Sequence, residues 1–258
     1  MVHDHGESSA SGKEPRPAEL GLVDGLDLHA EYLSDRTGGD FFDAVRVGTR
    51  VAFVLSDIAG RREDADPIAV AMQDAFRAKS SEIFSATDAN IMEGTEMLLQ
   101  DVNHALIGAA GGGVCFAPTI VACYDLQLGV LAYLNAGQTA VILDSDGARA
   151  LPGAGLPLGL TTHLTYEASM QAFEPGAKLL VVTKGVTLSL RGKTPFGVER
   201  VMDALRSAKD GSASGVCRAV LDAAHGFEKR SWARLPFGQK PVEDMTALAM
   251  VRSAPSAQ

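Results

Sequence analysis

The chain has 258 residues, 46 % of them hydrophobic and 21 % charged, with a net charge of −9. That composition is ordinary for a globular protein, and its acidic balance argues against nucleic acid, whose phosphates need a basic surface. No stretch approaches the roughly 18 apolar residues of a membrane helix, and "MVHDHGESSASGKEPRPAE" lacks the apolar core of a signal peptide, so a cytoplasmic protein without a membrane partner is expected.

In chain order, residues 1–22 are rich in Ser, Gly, Pro and charge and read as a disordered tail. Three strand candidates follow, "LDLHAEYLS" (26–34), "FFDAVRVG" (41–48) and "RVAFVLSD" (50–57), the last two close enough for a hairpin. A first helix is predicted to open at Asp66-Pro67, an N-cap acceptor followed by proline at the first helical position. A second opens near Asp88, repeats apolar residues from Ile91 to Ala105 at helical spacing, and ends at "AAGGGV" (109–114). Strands are then predicted at 119–126, 129–136, 139–145, 162–173 and 178–183, helices at 196–208 and 213–227, and a last strand at 245–252. "GFEKRSWAR" (226–234), the densest basic cluster, reads as a solvated loop or helix end, and 253–258 as a second disordered tail.

Strands in runs and helices in pairs imply an α+β layered protein. Two mainly antiparallel sheets packed face to face, with a helix pair on each outer face, use every element in one domain over 24–252. Cys115, Cys123 and Cys217 lack the spacing of a disulfide framework or a zinc site and read as buried thiols.

Carboxylates recur at strand ends beside tight turns: Asp40 and Asp43 in "TGGDFFD", Asp57 in "VLSDIAG", Glu243 and Asp244 in "VEDMT". Singly, an Asp in such a place caps turn N–H groups. Convergent, three would make an oxygen site suited to Mg²⁺ or Mn²⁺.

The ordered motifs resemble those of PPM-type, metal-dependent protein Ser/Thr phosphatases, in particular the bacterial SpoIIE-like branch. "GGDFFDA" is similar to G-G-D-F-Y-D, "VLSDIAG" to D-V-S-G and "NAGQTAVIL" to N-A-G-H-x-P-x-x-L. "GLPLGL" is similar to G-x-P-L-G, "EPGAKLLVVTKGV" to P-G-D-x-L-L-L-Y-T-D-G-V, "PFGVERVMDAL" to a following F-G-x-x-R-L, and "VEDMTALAMVR" to D-D-x-T-L-L-V-L-R. The resemblance implies an α-β-β-α sandwich and a site binding one or two Mn²⁺ or Mg²⁺ ions. Asp57 would bridge the ions, with the Ile58 carbonyl beside it, Asp40 reached through water, and Glu243 and Asp244 at the last motif. Metal-activated water would hydrolyse phosphoserine or phosphothreonine on a regulatory protein, in this branch an anti-sigma antagonist of the STAS type.

The chain departs from that pattern at three places. Lys184 stands where the resemblance expects the Asp of T-D-G, and Glu243 stands for the first acid of D-D-x-T. Lys184 either takes the place of the second metal, neutralising Asp57 and Glu243, or turns outward to solvent on its flexible stem. Gln138 replaces the His of N-A-G-H, and Arg61 and Arg62 in a lengthened, charged segment could receive a phosphate or pair with Glu63 and Asp64. Two functions therefore stand side by side: a phosphatase impaired by Lys184 and Glu243, or an inactive pseudophosphatase that binds a signalling partner.

Overall fold

The computed structural model describes residues 15, 23, 25–33, 38–113, 115–153, 155–163, 165–232 and 244–253, the side chains of 229–232 excepted. The tails expected at 1–22 and 253–258 lie outside these apart from Pro15 and Ser253, as does Glu243.

Three strands open the fold: β1 (Leu26–Leu33), β2 (Gly39–Val47) and β3 (Arg50–Ile58). A two-residue turn joins β2 to β3, and Gly48 there takes φ +59°, a left-handed conformation that other residues adopt at a cost. Two helices follow, α1 (Arg62–Phe84) and α2 (Ile91–Ala109), then β4 (Thr119–Asp125), β5 (Val130–Ala136), β6 (Ala140–Asp144), β7 (Ala148–Ala150) and β8 (Ser169–Ala172). The chain closes with β9 (Lys178–Val182), the one-turn α3 (Lys184–Thr187), the short hairpin β10 (Leu190–Arg191) and β11 (Thr194–Pro195), α4 (Gly197–Ser207), α5 (Ala213–Trp232) and β12 (Met245–Arg252).

Two five-stranded sheets, ordered β1-β12-β9-β6-β7 and β2-β3-β4-β5-β8, have every pairing antiparallel. Their facing sides bury Phe53, Leu55, Tyr124, Tyr133, Val181 and Leu248 between them. Phe76, Met72, Leu98 and Val102 of α1 and α2 cover the outer side of the β3–β4 sheet. Val201, Leu205, Val216 and Val220 of α4 and α5 cover the outer side of the other. The layers are those of the α-β-β-α sandwich. Strands buried on both faces, such as β3 and β4, read as continuous apolar runs because each packs helices on one side and a sheet on the other. Among the described residues no helix is long and apolar enough to cross a membrane. All three cysteines are buried free thiols, and burial pushes Cys123 and Cys217 up to about 12.

Three sequence expectations need correction. Helix α1 starts a turn before Asp66-Pro67, so Pro67 lies inside it. The Arg61 carbonyl accepts from both Asp64 and Ala65 N–H, and Glu63 and Asp64 in the first turn complement the helix dipole. The strand expected over 162–173 shrinks to β8, because side chains of α2 hold the segment before it. Asn103 bonds Gly159 N–H and the Thr161 carbonyl, and Glu96 accepts from Ala168 N–H. Finally, the strand expected over 178–183 ends at Val182, and Thr183 is the N-cap of the one-turn α3.

One buried cation that the sequence did not single out ties two layers together. Arg50 pairs with Asp125 at 3.2 Å and donates to the carbonyls of Phe84 and Thr87 in the α1–α2 connection at 3.0 and 2.9 Å. Asp43, fully buried, likewise pairs with Arg77 of α1 at 2.6 Å, which makes it a structural acid rather than a ligand.

Candidate functional site

The antiparallel register of β2 and β3 sets Asp40 directly opposite Asp57. Both are buried, Asp40 at 1 % and Asp57 at 7 % exposure. The two strands approach closely here because of Gly39. A Cβ at that position would come 2.3 Å from the Ile58 carbonyl and 2.7 Å from Ala65 Cβ.

Asp40 reaches across to the second sheet. Its Oδ2 accepts hydrogen bonds from Thr183 Oγ1 at 2.8 Å and Thr246 Oγ1 at 2.6 Å, at the ends of β9 and β12. Thr183 and Thr246 are themselves joined through backbone, each N–H donating to the other residue. The two sheets thus meet at one carboxyl. Burial, then the neighbouring Asp57 charge, pushes Asp40 well above the usual carboxylate range, with both hydroxyls opposing the shift.

Asp57 faces a cation. Lys184 Nζ lies 3.7 Å from Asp57 Oδ2, and the lysine is 31 % exposed. At that distance opposite charges attract by about 4 kcal/mol at intermediate effective dielectric, before the cost of desolvation. The position follows from the fold. Thr183 at the end of β9 caps α3, so the next side chain turns toward the β2–β3 edge instead of continuing the strand alternation.

Asp244 closes the same corner, its Oδ1 accepting from Gly38 N–H at 2.9 Å. Ile58 is buried at the end of β3. Arg61 and Arg62 are held in local pairs, Arg61 with Glu63 at 2.7 Å and Asp64 at 3.3 Å, Arg62 with Asp66 at 3.3 Å. For Arg61 the pairing with Glu63 and Asp64 weighed from the sequence is the one present. Gln138 donates from Nε2 to the Pro118 carbonyl at 2.9 Å, and that carbonyl also accepts from Asp57 N–H. Gln138 therefore supports the backbone behind Asp57, while Asn135 holds Gln138 by its main chain.

The fold assembles Asp40, Asp57, Lys184 and Asp244 at one end of the two sheets. Among the described residues, no group of three or more His, Cys, Asp or Glu side chains is arranged to hold a metal ion. The two threonines were missed by the sequence reading of the acids. Each is nevertheless present in the quoted motifs, directly before Lys184 and two residues after Asp244.

The sequence model of the family described as Stage II sporulation protein E (SpoIIE) matches residues 48–253. The RsbU and RsbW domains of Rv1364c from Mycobacterium tuberculosis superpose with a TM-score of 0.68 at 24 % identity, over 90 % of this chain and 61 % of that one. The PP2C phosphatase domain of SpoIIE from Bacillus subtilis, with a fragment of its regulatory domain, superposes at 0.66 and 12 % identity, over 88 % of this chain and 63 % of that one. The catalytic domain of the serine/threonine protein phosphatase PstP, in complex with 2 manganese ions, gives 0.59 at 12 % identity, over 89 % of this chain and 100 % of that one. This chain thus spans about three fifths of the first two. The GGDFFD motif precedes the matched span, and strand pairing is what brings its Asp40 to Asp57. The family model spans most of the sequence, so the chain belongs to the Stage II sporulation protein E (SpoIIE) family, and it shares the fold of the PP2C phosphatase domain of Bacillus subtilis SpoIIE.

Proposed function

We propose that this SpoIIE-type domain engages a phosphorylated regulatory protein of the STAS anti-sigma antagonist class, with hydrolysis of its phosphoserine or phosphothreonine weak or absent. The observation that carries this reading is the Lys184 ammonium 3.7 Å from Asp57. A fixed cation next to the carboxylate expected to bridge two ions repels a second divalent cation, and the described residues do not fit a pair of them. The PstP structure is in complex with 2 manganese ions and the RsbX structure with magnesium; in this chain the lysine supplies positive charge instead.

The chain's own residues keep the site ordered without an added ion. Lys184 balances Asp57, the hydroxyls of Thr183 and Thr246 hold Asp40, and Gly38 N–H holds Asp244. Such an arrangement preserves the shape on which a partner docks while removing the electrophilic strength that phosphoryl transfer needs.

The test is Mn²⁺-dependent hydrolysis of p-nitrophenyl phosphate by the wild type and by K184D/E243D. Weak or absent wild-type turnover that the double variant raises supports the reading. Robust wild-type turnover that the double variant does not increase overturns it, and so do two tight Mn²⁺ sites in wild-type calorimetry.

A further inference from the structure

The segment that begins at Lys184 leads directly into a second cluster of positive charge. Beyond α3, Ser189 accepts Phe196 N–H at 2.8 Å and so closes the base of the β10–β11 hairpin. Gly192 turns that hairpin at φ +68°, and Arg191 and Lys193 project from it, both exposed. The Arg191 guanidinium carbon lies 4.4 Å from the centre of the Phe227 ring, and that of Arg200, in α4, 5.0 Å from the same centre. Phe227 is itself 8 % exposed and is wedged edge-on against Phe196 at 5.5 Å. Arg200 is further fixed by donating to the Phe196 and Pro195 carbonyls at 2.8 and 3.2 Å.

Two guanidiniums on one ring lie no further apart than about a Debye length, ~10 Å at ordinary salt. The ring and the two carbonyls on Arg200 offset part of their repulsion, but no carboxylate among the described residues pairs with either. Arg50, Arg61, Arg62, Arg77 and Arg206 each have a carboxylate at ion-pair distance. Arg191, Lys193 and Arg200 have none there, although Glu199 and Glu228 adjoin Arg200 and Phe227 in sequence. On a chain of net charge −9, a pre-positioned cationic group of this kind is complementary to a short anionic element. The overall charge of the chain repels an extended polyanion.

We propose that Arg191, Lys193 and Arg200 form a docking surface for an acidic segment of a protein partner. This inference rests on the partner-binding reading above and specifies the chemistry of that partner. Guanidinium forks donate bidentately to carboxylates, Phe227 holds the two arginines in place and lowers the entropy lost on binding, and the surface lies on the segment that runs from Lys184 through α4.

Fluorescence anisotropy of a short labelled oligoglutamate peptide with the full chain tests the surface, with oligoglutamine, inorganic phosphate and single-stranded oligothymidylate as comparisons. The expected result is salt-sensitive binding of oligoglutamate alone, weakened about tenfold in R191A/K193A, whose substitutions sit on an exposed hairpin. A second variant, R200Q, gives the same loss with unchanged circular dichroism. Unchanged affinity in both variants overturns the proposal, as does absent oligoglutamate binding, or binding of oligoglutamine, phosphate or oligothymidylate as tight as that of oligoglutamate. Turnover and peptide binding are separate readouts. Failure of the metal-site reading therefore shows in the Mn²⁺-dependent turnover assay, and failure of the docking surface shows in anisotropy.

Discussion

Asp57 belongs to β3 and Lys184 to the helix that follows a strand of the other sheet, yet the ammonium stands 3.7 Å from the carboxylate. The pair forms where α3 leaves the end of β9 and the end of β3 lies opposite. It is a partly exposed pair beside a fully buried acid, so its worth depends on what happens to Asp57 when the lysine is removed. K184M is expected to lower stability by about 1 kcal/mol near neutral pH, since solvent screens the exposed half of the pair. The loss should shrink as added salt screens the pair. Urea unfolding over a salt series measures both, and an equal loss at every salt concentration would point to packing instead of charge.

Charge reversal at the same position should act differently. K184D places a third carboxylate beside Asp57 and Asp40, and the protein without metal should unfold at lower temperature than the wild type. Added Mn²⁺ should restore stability by an amount that grows with its concentration, as mass action requires for a ligand of the folded state. Thermal melts with Mn²⁺ and with chelator make the comparison, the wild type being expected to shift little.

Asp40 carries a pH signature of its own. Burial above all holds its carboxyl in the folded protein well above the ordinary value of 3.8. The folded protein therefore holds a proton that the unfolded chain has lost, and stability falls as pH rises from about 3.8 through the folded value. D40N, whose side-chain oxygen still accepts from Thr183 and Thr246, removes that dependence. Its stability relative to wild type should be flat in strong acid, rise above the unfolded carboxylate range, and level off once wild-type Asp40 is ionised. Chelator-treated protein unfolded in urea over a pH series shows this, and a gap that shrinks with rising pH would contradict it.

Gly39 should tolerate no side chain. Its missing Cβ would overlap the Ile58 carbonyl at 2.3 Å, a backbone atom that cannot step aside without parting β2 from β3. G39A is expected to cost about 3 kcal/mol and to displace Asp40 from Asp57. Unfolding experiments measure the cost, and an unchanged midpoint would show that the strands separate freely.

Arg50 is predicted to matter more to stability than any residue at the site. It is 7 % exposed, and R50A leaves Asp125 buried without its cation and the carbonyls after α1 without their donor. A loss of about 3–5 kcal/mol is expected from breaking such a buried pair. The double variant R50M/D125L should recover part of it, since no unpaired charge then remains; a double variant no more stable than R50A would place the cost in the helix connection.

The layered sandwich was legible from the chain because its strands and helices carry strong local periodicity. Apolar runs of strand length, helical repeats from Ile91 onward and glycines at turns each act over a few residues, and the motif order added the family. Elements were misjudged where a distant side chain decided the outcome. Asn103 and Glu96 hold residues 159–168 away from a strand, and no local pattern around 162–173 reports on them.

At the site the division is similar. Sequence alone established the unusual cation at Lys184 and the acids at strand ends. It did not determine that Asp43 belongs to Arg77, that Arg61 and Arg62 are consumed by their own helix, or that Thr183 and Thr246 fasten Asp40. Those outcomes depend on residues as far apart as Asp40 and Thr246, brought within 2.6 Å by strand register and sheet packing. A charge has a sign in the sequence, but its partner, burial and acidity arise when the two sheets close on each other.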